Sequence, residues 1–220
     1  MGELIRLRAA DGHELDAWRA EPAGEPRAGL VVIQEVFGLT EHIRRVSDDF
    51  AARGYFVIAP AMFDRVAPGI VLDYGEVERG RDIMLSLDRE QCVLDMDAAV
   101  QAAAPAGKVG AVGYCWGGAM ADLAACRLDI AAAVSYYGRA NVDWLDLKPR
   151  CPVLYHFGEA DPLIPPELVE QIRAARPGCE CYVYPGAGHG FNCDEREDYD
   201  PDAAALALER TLDFFARYLG

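Results

Sequence analysis

Short, unbroken apolar runs alternate along the chain with stretches whose apolar residues recur every three to four positions, which predicts strands interleaved with helices. The run at 29–34, Gly-Leu-Val-Val-Ile-Gln, shows no polar alternation and reads as a strand buried on both faces of a parallel sheet. Thr40 can cap the helix that follows, with Ile43, Val46 and Phe50 on one face and Gly54 beyond its end. The unit recurs as a strand at 55–59, helices near 75–86 and 89–104, a strand at 108–112, a helix at 117–127 and a strand at 130–136. Strands at 152–157 and 180–184, a helix at 165–175 and a closing helix near 202–218 complete the series. Ahead of it, two short strands at 4–8 and 14–19 flank an Asp11-Gly12 turn. The expected class is α/β: one domain over 1–220, with a mostly parallel sheet, helices on both faces and an N-terminal antiparallel strand pair. The longest irregular stretches, 65–78 and 138–150, are where loops beyond strand ends are expected to build a site.

Composition narrows the partners. Hydrophobic residues make up 52% of the 220 and charged residues 26%, the balance of a folded globular chain. Asp and Glu number 36 against 21 Lys and Arg, and the net charge of −15 disfavours nucleic acid and anionic membrane surfaces. No run approaches the roughly 18 apolar residues of a membrane span, and the first residues lack the charged-then-apolar pattern of a signal peptide. A cytoplasmic protein, monomeric or a small homo-oligomer, is the expectation. Seven cysteines, at 92, 115, 126, 151, 179, 181 and 193, are odd in number and irregularly spaced, so reduced thiols are expected. A cysteine offered for chemistry must then be distinguished by its surroundings.

Cys115 is so distinguished. The segment Gly113-Tyr114-Cys115-Trp116-Gly117-Gly118 lies between the predicted strand at 108–112 and the alanine-rich helix, forming a G-x-C-x-G turn. A sharp strand-to-helix reversal brings the backbone against itself, so glycines flank the one residue lifted into the open at a helix N-terminus. That position favours negative charge on a thiol. An attacking thiol needs a base and the base an orienting acid. His13, His42 and His156 sit beside a turn, near a helix start and at the end of an apolar strand. His189, in the glycine-rich loop Pro185-Gly186-Ala187-Gly188-His189-Gly190-Phe191, can reach over a distant residue. Asp161, in the loop Gly158-Glu159-Ala160-Asp161, is the expected acid with Glu159 its nearest rival; Asp129 and Asp143 are poorer placed. The order Cys115, Asp161, His189 is the nucleophile–acid–histidine order of the α/β-hydrolase fold.

With these residues the chain resembles the dienelactone hydrolase family over nearly its whole length. The resemblance is carried by Asp11-Gly12-His13, Gln34-Glu35-Val36-Phe37-Gly38, Arg65 with Ala67-Pro68-Gly69, the Cys115 turn, Tyr136-Tyr137-Gly138, Gly158 with Asp161, and Gly188-His189-Gly190-Phe191. It implies an α/β hydrolase that opens an enol lactone, with Cys115 as nucleophile, His189 as base and Asp161 as acid. It also gives Glu35 a role, bonding the resting thiol until substrate frees it to take the thiol proton. The oxyanion hole is expected from the backbone N–H groups of Val36 and Trp116, and Phe37 and Tyr136 are expected to line the pocket. In the family the substrate carboxylate is held by two arginines and a serine. Arg81 matches one arginine, Gly190 stands in place of the serine, Cys193 in place of the second arginine, and Arg196 lies three residues on.

The expected activity is hydrolysis of a small-molecule lactone or carboxylic ester through a thioester acyl-enzyme, with no cofactor implied. Alternatives keep the triad but take a neutral ester or thioester. Others read Cys179, Cys181, His189 and Cys193 as zinc ligands, or Cys115 as a reversibly oxidised thiol in a non-catalytic relative.

Overall fold

The computed structural model describes residues 2–220. The chain runs β1 (Glu3–Arg8), β2 (Glu14–Ala20), β3 (Ala28–Ile33), α1 (Glu41–Ala52), β4 (Tyr55–Pro60), α2 (Val77–Ser86), α3 (Arg89–Ala103), β5 (Val109–Tyr114), α4 (Trp116–Arg127), β6 (Ala132–Tyr136), β7 (Val153–Gly158), α5 (Pro166–Ala175), β8 (Glu180–Tyr184) and α6 (Pro201–Tyr218). These bounds lie within about two residues of the expected ones. The two irregular stretches carry or adjoin short 3-10 turns, at Met62–Arg65 and Arg139–Trp144.

One eight-stranded sheet has the order β1-β2-β4-β3-β5-β6-β7-β8. The β1–β2 and β2–β4 pairs are antiparallel and all others parallel, so the N-terminal hairpin forms one edge of an otherwise parallel sheet. Strands β3, β5, β6 and β7 are buried at every position, as their unbroken apolar runs demand. Each Val, Leu or Ile so buried stabilises the fold by roughly 1.5–3 kcal/mol relative to exposure.

Two glycines show that helices cover both faces. Gly29 and Val109 are register partners, so Gly110, the next residue, faces the opposite side from Gly29. A Cβ on Gly29 would lie 2.5 Å from the Ala103 carbonyl of α3, and one on Gly110 would lie 2.8 Å from Leu219, just past α6. Helix α1 shares the α6 face, where Phe50 meets Phe215 edge-on at 6.4 Å. Helix α4 joins α3 through the Arg127–Glu90 ion pair.

Two of the sequence motifs serve this scaffold. Arg65, almost fully covered, donates from Nε and Nη2 to the buried Asp95 carboxylate at 2.8 Å and from Nη1 to Asp11 at 2.8 Å, tying the first hairpin turn to α3. Asp64 beside it accepts the Asp16 N–H at 2.8 Å and the Gly69 N–H at 2.9 Å, which fixes the loop after β4.

Candidate active site

Because β3, β5, β7 and β8 run parallel, the loops after their C-terminal ends converge on one edge of the sheet. These loops carry Glu35, Cys115, Asp161 and His189 respectively.

Cys115 sits between β5 and α4 with φ 55° and ψ −118°, a backbone conformation that L-residues rarely adopt. Its N–H is held by the Tyr136 carbonyl at 3.0 Å, and its own carbonyl accepts the Gly118 N–H at 3.0 Å. The neighbouring glycines make the turn possible. A Cβ on Gly113 would lie 1.8 Å from the Gly117 carbonyl oxygen, and one on Gly117 would lie 2.3 Å from that of Ile33. The thiol therefore stands at the first turn of α4, partly exposed, where the helix dipole favours an anion.

His189 Nε2 is 3.2 Å from Cys115 Sγ, and His189 Nδ1 is 2.7 Å from Asp161 Oδ2. The other Asp161 oxygen accepts the Leu163 N–H at 2.8 Å, which locks the carboxylate's orientation. Burial works against charge on the ring, but the Cys115 sulfur and the Asp161 carboxylate outweigh it and push the His189 pKa up to about 10. The structure thus brings Cys115, His189 and Asp161 into one hydrogen-bonded line. Glu159, the rival acid, instead accepts the Gly186 N–H at 3.0 Å on the exposed surface.

Glu35 is placed differently from the expectation of a bond to the resting thiol. It is 1% exposed, its Oε1 lies 3.5 Å from Arg196 Nη1, and its Oε2 has no hydrogen-bond partner among the described residues. Arg196 reaches it by way of Gly190, whose φ is +83° and whose missing Cβ would lie 2.7 Å from Arg196 Nη1. The loop carrying Arg196 is tied to α1, with Asp194 Oδ1 2.9 Å from His42 Nδ1 and 2.8 Å from Arg45 Nη2, and Glu195 2.7 Å from Arg45 Nη1.

Of the expected oxyanion donors, Trp116 opens α4 and Val36 stands on the loop after β3, and neither N–H has a backbone acceptor among the described residues. Helix α2 closes on that loop through Gly80, where a Cβ would lie 2.1 Å from the Val36 carbonyl oxygen.

Of the residues expected to bind substrate, Phe37 is buried with the Arg196 guanidinium 5.7 Å from its ring centre. Arg81 lies exposed on α2 with no ion-pair partner among the described residues. Tyr136 is a core residue and not a pocket wall. It is fully covered, and its hydroxyl is 2.7 Å from Thr211 Oγ1. The aromatic residue against the imidazole is its neighbour Tyr137, at φ 40°, edge-on to His189 with ring centres 5.3 Å apart. The backbone turns over at this point, so strand alternation in the sequence offers no signal for which tyrosine faces the site. As for zinc, no group of three or more His, Cys, Asp or Glu among the described residues is arranged to hold a metal ion.

The dienelactone hydrolase family model matches residues 15–219. The chain belongs to that family. It is 36% identical to the carboxymethylenebutenolidases of Pseudomonas putida and Pseudomonas knackmussii, over 97% of this chain and 96% of each relative. A Klebsiella pneumoniae structure bearing the dienelactone hydrolase name superposes with a TM-score of 0.84 at 29% identity, covering 98% of this chain and 100% of that one. A Pyrococcus furiosus esterase shares the fold, with a TM-score of 0.72 at 15% identity, covering 100% of this chain and 94% of its own. The family and these relatives place the chain among hydrolases of lactone and ester bonds. No helix among the described residues is long and apolar enough to cross a membrane.

Proposed function

We propose that the chain opens a lactone or carboxylic ester through a thioester acyl-enzyme on Cys115. The observation that carries this reading is the line from Cys115 Sγ to His189 Nε2 at 3.2 Å and from His189 Nδ1 to Asp161 at 2.7 Å. The thiol proton passes to His189, the sulfur attacks the acyl carbon, and the oxygen that gains charge is met by the N–H groups of Trp116 and Val36. His189 returns the proton to the departing alkoxide; water then attacks the thioester, again with His189 as base, and regenerates the thiol. Asp161 holds the imidazole in the tautomer this exchange needs. Glu35 acts in activation: released from Arg196 when substrate arrives, its carboxylate relays the thiol proton to His189 before attack.

A second reading keeps the triad and takes a neutral ester. It is favoured by the charges at the site, because Arg196 is already paired with Glu35 and Arg81 stands in solvent.

The test is ultraviolet-monitored ring opening of a dienelactone, with a neutral aryl ester alongside, by the wild type and Cys115→Ala. Hydrolysis that falls by about 10³-fold or more in the variant supports the nucleophile; hydrolysis that survives refutes it. Lactone opening supports the anionic substrate, and ester cleavage without it supports the neutral one.

A further inference from the structure

Gln34, the residue after β3, is fully buried, and its side chain makes two hydrogen bonds. Oε1 accepts the Met62 N–H at 3.0 Å, and Nε2 donates to the Glu35 carbonyl oxygen at 3.3 Å. The two bonds require a single orientation of the amide, since Met62 offers only a donor and the Glu35 carbonyl only an acceptor. Met62 itself stands in the 3-10 turn that Asp64 and Arg65 fasten to the hairpin and to α3.

The Glu35 carbonyl and the Val36 N–H belong to the same planar peptide unit and point in opposite directions. Fixing one end therefore aims the other, and a hydrogen bond accepted by the carbonyl also polarises the unit and strengthens its N–H as a donor. Two later carbonyls of this loop are held by backbone alone: that of Phe37 accepts the Leu72 N–H at 2.9 Å, and that of Gly38 accepts the Thr40 N–H at 2.9 Å. The Glu35–Val36 unit depends on a side chain.

We propose that Gln34 is a positioning residue, setting the Glu35–Val36 peptide so that the Val36 N–H meets the oxygen that gains charge on an ester or lactone attacked by Cys115. The inference rests on the reading of Cys115 and the Val36 N–H given above and adds what holds that donor in place. Gln34 does not touch the substrate; it acts through the peptide.

The test uses two variants of the full chain. Gln34→Glu keeps an acceptor for Met62 and replaces the donor with an oxygen facing the Glu35 carbonyl. Gln34→Met has similar length and removes both bonds. An arylacryloyl ester serves as substrate and as the source of a slowly hydrolysed acyl group on Cys115. The expected result is a kcat for acylation lower by about tenfold or more, short of the ~10²–10³-fold for losing an oxyanion donor outright, with KM within about twofold. The carbonyl stretch of the trapped thioester is expected to rise in both variants, because its oxygen accepts a weaker hydrogen bond. General loosening lowers the melting temperature without moving that frequency. Variants that fold and keep the wild-type kcat overturn the proposal, as do variants that lose activity with the frequency unmoved. If Gln34→Glu does not fold, Gln34→Met carries both readouts. A wild type that forms no acyl adduct on Cys115 refutes the reading of the site and the proposal with it. An adduct on the wild type with unchanged variants overturns the role of Gln34 alone.

Discussion

His156 is expected to draw stability down in acid. It is fully buried beneath Tyr184, whose hydroxyl lies 2.8 Å from Nδ1, while Nε2 is 3.0 Å from Thr211 Oγ1. With Tyr184 donating to Nδ1, the ring proton resides on Nε2 and both nitrogens are satisfied in the neutral form. Burial, and then the charge of Arg210, hold its pKa down to about 3. In the unfolded chain the same ring titrates near ~6.5. The unfolded state thus binds a proton that the folded state refuses, so stability is complete above about pH 6.5 and declines as pH falls toward 3. Each unit costs about 1.4 kcal/mol, so between pH 7 and pH 4.5 roughly 2–3 kcal/mol is lost to this residue. His189 has the opposite sign: its raised pKa contributes fully below about pH 6.5 and is lost as pH rises through about 10, so it adds no loss on the acid side. Urea unfolding of the wild type and His156→Gln at pH 7 and pH 4.5 isolates the effect, because ionisations common to both proteins cancel. The wild-type midpoint is expected to fall by roughly 1 M urea more than that of the variant. Parallel falls would refute the reasoning, as would a folded-state titration of His156 near pH 6.5.

Two further outcomes follow from buried charges. Arg176, with its side chain 2% exposed, donates to the carbonyls of Leu145 at 3.1 Å and Leu147 at 2.6 Å and lies 3.3 Å from the fully buried Asp122 carboxylate. Arg176→Met leaves that carboxylate unpaired and is expected to cost about 3–5 kcal/mol by chemical denaturation, part of it recovered by adding Asp122→Asn. Glu35→Gln is expected to slow acylation in stopped flow by about tenfold or more while the melting temperature holds or rises, since a buried carboxylate with one long ion pair is removed; acylation at the wild-type rate would dismiss the activation role.

The elements that dictate their own local form were legible in the sequence. The unbroken run at 29–34 and the glycines around Cys115 each have one physical solution, a strand covered on both faces and a reversal where a Cβ meets a backbone oxygen at 1.8 Å. What depended on distant partners was not legible. Tyr136 and Tyr137 are adjacent and chemically identical; only the backbone turning over at φ 40° sends one to Thr211 and the other to His189. His156 reads from the sequence as a satisfied structural histidine at a strand end, and it is one; what the sequence does not give is its partner Thr211, 55 residues away. Motif residues were ambiguous in another way: Asp11 and Arg65 carry the family resemblance as plainly as Glu35 does, yet they brace the scaffold far from the thiol in chain order.

The charge arrangement around Cys115 depends on Gly190. It has no side chain, and the Arg196 guanidinium occupies the space a Cβ would take, 2.7 Å away. A residue that close to His189 in sequence is thereby delivered to Glu35 from across the site, and the ties of Asp194 and Glu195 to His42 and Arg45 keep its loop there. The buried negative charge of Glu35 is therefore balanced from within the protein, by one cation at 3.5 Å and with one carboxylate oxygen unbonded. Such a pair is only weakly held for its degree of burial. A carboxylate on the substrate is expected to compete with Glu35 for the same guanidinium. On the proposed mechanism, substrate class is thus coupled to the release of Glu35 from Arg196.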